Sequence, residues 1–139
     1  MTSDKAGTAI KGSCLCGSVR YEVRESLPRL LHCHCSMCRK SHGSAFATYA
    51  RVKRADFSLL AGERAIKSYR SSANVTRTFC GSCGSRLQFI SDSAPESFGL
   101  AVGTLDDDPI ARPKMHIFVG SKAPWFEIAD ELPRHDARP

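Results

Sequence analysis

Seven cysteines constrain this sequence more than any other feature, because they fall into three tight groups. In chain order the groups are Cys14 and Cys16, then Cys33, Cys35 and Cys38, then Cys80 and Cys83. In extended backbone, side chains alternate between two faces, so Cys33 and Cys35 share one face and their histidine neighbours point the other way. A tight turn after Cys35 would return Cys38 to the same point. The central group therefore predicts a cup of three thiolates.

Metal binding explains these cysteines better than disulfide bonds do. Their number is odd, and pairs separated by one or two residues are poor disulfide partners but good chelators of a tetrahedral metal. The polar N-terminus lacks the apolar segment of a secretory signal, which indicates a cytoplasmic protein in a reducing compartment. We therefore expect Zn²⁺, with one closed site of four thiolates and a second site of three.

The spacing of the cysteines allows two divisions between these sites. Cys35 and Cys38 with Cys80 and Cys83 would form a conventional site of two CxxC knuckles. In the other division, the first and last groups form the four-thiolate site and tie the N-terminal hairpin to the middle of the chain. The central group is then left as the three-thiolate site.

The composition is that of a soluble globular protein. The chain has 139 residues, of which 42% are hydrophobic and 24% are charged, and this length suits one domain. No apolar run approaches the roughly 18 residues that a membrane-spanning helix needs. The net charge of +6 comes from scattered Lys and Arg, which favours a solvated basic surface. We place a single domain at residues 10–133, between a loose N-terminal tail at residues 1–9 and an irregular C-terminal tail at residues 134–139.

Hydrophobic alternation predicts strands along most of the chain. Val19, Tyr21 and Val23 alternate with charged residues, which is typical of a half-buried strand. Further strands are predicted at residues 44–52, 56–60, 65–71, 74–79, 86–90, 97–102 and 115–119. A short helical turn is expected after Cys38, and Trp125 should pack as part of an apolar anchor. Many short strands predict an all-β domain, mainly β with short helical turns.

Three cysteine motifs together resemble a known family. They are GSCLCG at residues 12–17, HCHCSMCRKSHG at residues 32–43 and FCGSCG at residues 79–84. These motifs resemble the glutathione-dependent formaldehyde-activating enzyme (GFA) family, also called the CENP-V/GFA family. The likeness extends to residues 102–106 and 116–125, so it covers nearly the whole chain.

The resemblance implies a β-tent zinc-binding fold and the second division of the cysteines. It assigns a structural zinc to Cys14, Cys16, Cys80 and Cys83. It assigns a catalytic zinc with an open fourth position to Cys33, Cys35 and Cys38. The activity implied is condensation of formaldehyde with glutathione to S-hydroxymethylglutathione, which is classed as a carbon–sulfur lyase reaction. The chain is shorter than the authentic glutathione enzymes and has Arg-Lys-Ser at residues 39–41 where they have Trp-Lys-Pro. The resemblance therefore carries the metal site over better than the glutathione specificity.

Polar residues near the cysteines are weaker candidates for a role in the site. Arg39 and Lys40 would offset the negative charge of three thiolates around one zinc ion. His42 and His116 are the better candidates to complete a site of three cysteines and one histidine, because alternation turns His34 away.

Two classes of function fit these features. The first is a zinc-dependent carbon–sulfur lyase that acts on a thiol adduct of a small aldehyde, with a small-molecule thiol such as glutathione as its partner. The second is a non-catalytic, zinc-stabilised module that binds chromatin or protein. The central group also allows a purely structural second zinc or a redox-sensing thiol cluster. We favour the enzyme and expect neither a membrane nor a nucleic acid as partner, while the true substrate and the oligomeric state stay open.

Overall fold

A computed structural model describes residues 9–139, which form a mainly β fold. The strands are β1 (Ile10–Ser13), β2 (Arg20–Val23), β3 (Leu30–Cys33), β4 (Ala47–Lys53), β5 (Phe57–Ala61), β6 (Ile66–Ser72), β7 (Val75–Cys80), β8 (Arg86–Ser91), β9 (Ser97–Ala101) and β10 (Pro113–Ile117). They form a three-stranded sheet in the order β1-β2-β5 and a seven-stranded sheet in the order β10-β3-β4-β9-β8-β7-β6. Strands β10 and β3 are parallel, and the other neighbours are antiparallel. This architecture confirms the predicted fold class. The tail predicted at residues 1–9 lies, up to residue 8, outside the described part of the chain.

Helical structure is confined to short segments. The helix α1 (Ser36–His42) follows β3, and single 3₁₀ turns occur at Arg54–Asp56, Glu63–Ala65, Val102–Thr104 and Val119–Ser121. Helix α1 ends at Gly43, which has φ 62° and donates its backbone N–H to the Arg39 carbonyl. This confirms the helical turn predicted after Cys38, although the helix begins earlier, at Ser36. None of the helices in residues 9–139 is long and apolar enough to cross a membrane.

The main core lies where the two sheets meet. Tyr21 and Val23 of β2 are 1% and 2% exposed, which confirms the face that alternation predicts. Phe57 of the small sheet joins the two layers, because its ring lies 5.2 Å from Tyr21 and 5.1 Å from Phe98 of β9. Full burial of a large apolar side chain stabilises a fold by roughly 1.5–3 kcal/mol. These contacts fix the small sheet against the large one.

The end of the chain runs along β10 at one edge of the large sheet. The His116 N–H donates to the Pro133 carbonyl, and the His135 N–H donates back to the His116 carbonyl, both at 2.9 Å. This segment has no helix or strand of its own, and its backbone pairing covers part of the edge of β10. It brings the Arg138 guanidinium to 5.7 Å from the Phe118 ring.

The prediction that the only tryptophan anchors the fold is wrong. Trp125 is 70% exposed. The neighbouring Phe126 packs inward instead, with its ring 5.6 Å from that of Phe46 and 6.3 Å from that of His34. The apolar run at residues 124–126 therefore contributes phenylalanine, not tryptophan, to the packing.

Candidate metal centres

The two outer cysteine pairs meet in a four-cysteine cluster, made of Cys14, Cys16, Cys80 and Cys83. All four Sγ atoms lie within 4.8 Å of one another. The Sγ of Cys16 is 3.7 Å from that of Cys14 and 3.9 Å from that of Cys80. Zinc–sulfur bonds of about 2.3 Å in a tetrahedron place the sulfurs about 3.8 Å apart. The donor set and its spacing therefore fit a closed four-thiolate zinc site.

Hydrogen bonds hold the two cysteine turns of this cluster in place. We call them the first knuckle, at residues 14–19, and the second knuckle, at residues 80–85. The Val19 N–H donates to the Cys14 sulfur at 3.2 Å, and the Gly84 N–H donates to the Cys80 carbonyl at 2.7 Å. The Leu15 N–H donates to the Ser85 hydroxyl at 2.9 Å, which joins the first knuckle to the second. The cluster thus ties the turn after β1 to the turn after β7.

The central cysteines form a separate three-cysteine cluster, made of Cys33, Cys35 and Cys38. Cys33 ends β3, Cys35 caps the start of α1, and Cys38 lies in its first turn. Their Sγ atoms also lie within 4.8 Å of one another, and the Cys38 N–H donates to the Cys35 sulfur at 3.3 Å. Hydrogen bonds from Cys33 and Cys38 lower the pKa of the Cys35 thiol. The predicted cup of three sulfurs is present, and the grouping follows the second division of the cysteines.

The three-cysteine cluster lines a cleft of about 520 Å³, and no member of the four-cysteine cluster lies in the wall of this cleft. The other walls include apolar and cationic side chains, among them Leu31, Phe89, Phe118, Arg51, Arg77 and Arg138. Cys33 and Cys38 are buried, while Cys35 is half-buried. A small molecule that enters this cleft therefore lies against the cluster, of which Cys35 is the most exposed member.

Arg77 of β7 contacts the three-cysteine cluster directly. Both of its terminal nitrogens, Nη1 and Nη2, lie 3.7 Å from the Cys38 sulfur. Its Nε donates to the Ser71 hydroxyl at 3.0 Å, and its guanidinium lies 5.0 Å from the Phe89 ring. Burial opposes the charged form of Arg77, but the interactions with Cys38, Tyr49 and Cys35 together outweigh burial and raise the pKa of the guanidinium. A fixed positive charge therefore lies beside the sulfurs.

Tyr49 of β4 carries a hydroxyl at the same place. This hydroxyl lies 3.8 Å from the Cys38 sulfur, accepts a hydrogen bond from Arg77 at 3.2 Å and lies 3.2 Å from His42 Nε2. Burial, followed by the negative charge at Cys38, raises the pKa of Tyr49. Burial and then Arg77 lower the pKa of His42 to about 4. At neutral pH the site therefore holds a protonated phenol beside an uncharged imidazole.

The histidines predicted to complete the three-cysteine site do not join it. In the described part of the chain, His42 is linked to the Cys38 sulfur through the Tyr49 hydroxyl. His116 forms a separate group, with its Nδ1 2.8 Å from His34 Nε2 and its Nε2 3.0 Å from the Asp130 carboxylate. His34 is fully buried, its Nδ1 has no hydrogen-bond partner in residues 9–139, and burial lowers its pKa to about 4. His34 points away from the sulfurs, as alternation predicts.

The cations predicted to balance the thiolates lie elsewhere. The Arg39 guanidinium donates to the Ser121 carbonyl at 3.2 Å, and Lys40 lines a different cleft. Arg77 occupies the place beside the sulfurs instead. Sequence reasoning missed this residue because it lies between two threonines in a strand, where an arginine normally faces solvent. Tyr49 was predicted only as part of a strand, since nothing nearby in the sequence marks its hydroxyl as a partner of cysteine.

Comparisons with known proteins agree with one another. A Halomonas elongata protein, assigned by name to the glutathione-dependent formaldehyde-activating enzymes, is 29% identical over 127 residues, which cover 86% of this chain and 80% of that protein. An uncharacterized lyase of Schizosaccharomyces pombe is 30% identical over 79 residues, which cover 57% of this chain and 56% of the yeast protein. The crystal structure of a Rhodobacter sphaeroides protein is similar at a TM-score of 0.61 and 30% identity, covering 71% of this chain and 90% of that one.

The family comparison covers most of the chain. The model described as glutathione-dependent formaldehyde-activating enzyme matches residues 9–121, a range that includes both cysteine clusters. The sequence motifs, the grouping of the cysteines and the relatives all agree with this match. The chain belongs to the glutathione-dependent formaldehyde-activating enzyme family.

Proposed function

We propose that this protein is a zinc-dependent enzyme that makes or breaks a carbon–sulfur bond in a thiol adduct of a small aldehyde. The observation that carries the proposal is the three-cysteine cluster on the wall of an open cleft, beside Arg77 and Tyr49. The names of the family and of the Halomonas relative support a thiol and formaldehyde as reactants. The name of the yeast relative supports a lyase.

The two cysteine clusters have different roles in this proposal. The four-cysteine cluster holds a structural zinc, which its sulfur spacing and its two linked knuckles support. The three-cysteine cluster holds the second, catalytic zinc, and its place in the cleft supports an exchangeable fourth position. Bound there, zinc supplies a Lewis acid that holds a thiol as a thiolate.

The reaction needs few groups from the protein. In the synthetic direction the thiol sulfur attacks the carbonyl carbon of the aldehyde and a C–S bond forms. The π electron pair of the C=O bond moves onto oxygen, which takes up the proton that the thiol releases. In the lyase direction the same C–S bond breaks, its electron pair stays on sulfur, the hydroxyl proton returns to the thiol and the carbonyl is restored. Enzymes speed such steps by placing hydrogen-bond donors where the negative charge develops on oxygen.

Tyr49 is the donor that suits this oxygen. Its raised pKa keeps the hydroxyl protonated, so it can donate a hydrogen bond to the aldehyde oxygen. Arg77 and His42 hold the hydroxyl from two sides at 3.2 Å each. The apolar side chains of Leu31 and Phe89 line the same cleft and reduce the water that competes for the donor.

Exchange between formaldehyde and its thiol adduct tests the proposal, because NMR exchange spectroscopy measures this rate at equilibrium. We expect zinc-loaded protein to accelerate the exchange with glutathione or a smaller thiol above the spontaneous rate. Cys38→Ser should abolish the acceleration while the far-UV circular dichroism stays native. Ser41→Ala, in the same helix but lining a different cleft, is the matched control and should keep the wild-type rate.

Two results would overturn the proposal. One is a fully zinc-loaded wild-type protein that leaves the exchange at its spontaneous rate with every thiol tried. The other is a folded Cys38→Ser variant that accelerates the exchange as well as the wild type. The first result would favour a non-catalytic, zinc-stabilised module.

A further inference from the structure

Arg77 is the only buried Lys or Arg among the described residues, with 6% of its surface exposed. Burial of a charged side chain is costly unless an opposite charge lies close to it. No carboxylate pairs with Arg77 in the described part of the chain, where the carboxylate pairs involve Arg70, Arg112 and His116. The buried guanidinium therefore needs another anion.

The neighbours of Arg77 leave one source for that anion. The Ser71 and Tyr49 hydroxyls are uncharged, and the Phe89 ring offers only its π face. The Cys38 sulfur, at 3.7 Å from both Nη1 and Nη2, is the contact that joins Arg77 to the three-cysteine cluster, whose thiolates would carry the negative charge when they hold a metal ion. The geometry thus matches a charge-assisted contact between a guanidinium and a thiolate.

We infer that Arg77 is the resident counter-ion of the three-cysteine cluster and that its charge lets the cluster accept a thiolate from outside. The inference rests on the part of the proposed function that places zinc at this cluster. Three thiolates and one Zn²⁺ carry a net charge of −1, and Arg77 brings the sum to zero. An incoming thiolate then approaches a neutral group, whereas without Arg77 it would meet a like charge at short range.

Other cations near the cleft are less suited to this role. Arg51 and Arg138 line the cleft but are exposed to solvent, where water and salt screen their charge. Arg39 is engaged by the Ser121 carbonyl. Among the cations that the structure describes, only Arg77 combines burial with contact to a cysteine sulfur, so its charge acts at low screening.

The matched variants are Arg77→Gln, Arg77→Lys and Arg86→Gln. Glutamine removes the charge but keeps a side chain that can hydrogen-bond to the Ser71 hydroxyl, and lysine keeps the charge without the planar fork. Arg86 of the neighbouring strand β8 is the control. Its guanidinium lies 5.0 Å from the Phe79 ring, as Arg77 lies 5.0 Å from Phe89, but it contacts no cysteine sulfur in the described residues.

The experiment uses full-length protein loaded with Co²⁺ in place of zinc, and 2-mercaptoethanol as the thiol, because this thiol carries no other charge. Metal content gives the occupancy of both sites, and the sulfur-to-cobalt absorption band gives the Kd of the thiol. We expect Arg77→Gln to raise this Kd by about 10- to 100-fold. Arg77→Lys should recover most of the affinity, and Arg86→Gln should match the wild type.

Each other outcome is also decisive. Loss of the second metal in Arg77→Gln, with retention in Arg77→Lys, supports the counter-ion, because charge alone restores the site. A Kd within twofold of wild type in fully loaded Arg77→Gln overturns it, as does equal loss of metal or affinity in the Gln and Lys variants. A wild-type protein that takes up only one metal, or takes up two and binds no thiol, overturns the proposed function and this inference with it. Thiol binding by the wild type together with an unaffected Arg77→Gln overturns the inference alone.

Discussion

Tyr21 lies at the centre of the contact between the two sheets, with only 1% of its surface exposed. Its hydroxyl shares a 2.6 Å hydrogen bond with the side chain of Thr104, which satisfies the polar end of a buried ring. Burial disfavours the phenolate and raises the pKa of Tyr21 to about 12. The ionisation of this single group is therefore coupled to the stability of the fold.

Tyr21→Phe should separate the hydrogen bond from this ionisation. At pH 8 the lost bond should cost about 1 kcal/mol of unfolding free energy. The folded pKa lies above the ordinary value of about 10, so the contribution of Tyr21 is complete below pH 10 and is lost as pH rises towards 12. At about 1.4 kcal/mol per pKa unit, the wild type should lose on the order of 2–3 kcal/mol over that interval relative to the variant.

Urea denaturation at steps between pH 8 and pH 11.5 measures both effects. Tyr69→Phe is the control, because Tyr69 is 65% exposed and its substitution should leave the pH dependence unchanged. Parallel stability curves for wild type and Tyr21→Phe above pH 10 would contradict the prediction.

Alternation along the sequence predicts the buried face of β2 but not the partners of its side chains. Val19, Tyr21 and Val23 are all buried, as their spacing indicates. The partner of the Tyr21 hydroxyl lies 83 residues further along the chain, and the cation beside the Cys38 sulfur lies 39 residues away from it. Such contacts depend on how strands are ordered in the sheet, and a residue's neighbours in sequence carry no information about that order.

The turn between β5 and β6 shows how one element positions another. Gly62 has φ 90°, and a Cβ atom there would lie 2.2 Å from the Ser18 carbonyl oxygen and 2.7 Å from the Val19 Cα. Both contacts are with backbone, which cannot move aside as a flexible side chain can. The turn therefore packs directly against the first cysteine knuckle. The Gly62 position requires the absence of a side chain as well as a positive φ.

Gly62→Ala should destabilise the protein much more than Gly43→Ala. Gly43 has φ 62° but has nothing within 4 Å of a Cβ atom, so alanine there costs only the left-handed backbone, about 1 kcal/mol. At Gly62 the clash adds about 1–3 kcal/mol to a similar backbone cost. The free energy of unfolding in urea measures the difference, and equal losses in the two variants would show that the turn does not pack against the knuckle in solution.

The strands themselves are easier to predict than their arrangement. Most predicted strands lie within about two or three residues of the observed ones, because short alternating runs between turns are local signals. The parallel pairing of β10 with β3 and the joining of β5 to β2 are not local. Trp125 shows the same limit. As the only tryptophan it is expected to anchor the fold, but Phe126 packs inward instead. The resemblance of the three cysteine motifs to the family implies the observed grouping, whereas spacing alone allows two divisions.

At the scale of the whole molecule, the two cysteine clusters relate differently to the fold. The four-cysteine cluster joins segments that are far apart in sequence, since Cys16 and Cys80 are separated by 64 positions. The three-cysteine cluster spans positions 33–38 at the junction of β3 and α1. Closing a long loop restrains the unfolded chain more than closing a short one, by about 0.6 kcal/mol for each doubling of loop length. Metal at the first cluster should therefore hold the fold, whereas metal at the second should act mainly on the cleft.

Cys83→Ser should then destabilise the fold strongly, whereas Cys38→Ser should leave it folded. Structural zinc contributes on the order of 10 kcal/mol to the folding of small zinc domains, which is comparable with the roughly 5–15 kcal/mol that stabilises a typical domain. Cys83→Ser removes one of the four sulfurs of the four-cysteine cluster, so we expect a largely unfolded protein at 25 °C. Cys38→Ser should keep a native circular dichroism spectrum and a cooperative unfolding transition, and should lose one metal equivalent.

Metal analysis together with thermal unfolding distinguishes the two variants. The control is a chelator titration of the wild type. Removal of the first zinc equivalent should leave the circular dichroism spectrum native, and removal of the second should coincide with unfolding. This order follows because a site with three thiolates and an open position holds its metal less firmly than a closed site with four. If Cys38→Ser unfolded as readily as Cys83→Ser, the second metal would be structural too. The cleft beside it would then owe its shape to that metal, and the fold would have two zinc-dependent supports rather than one.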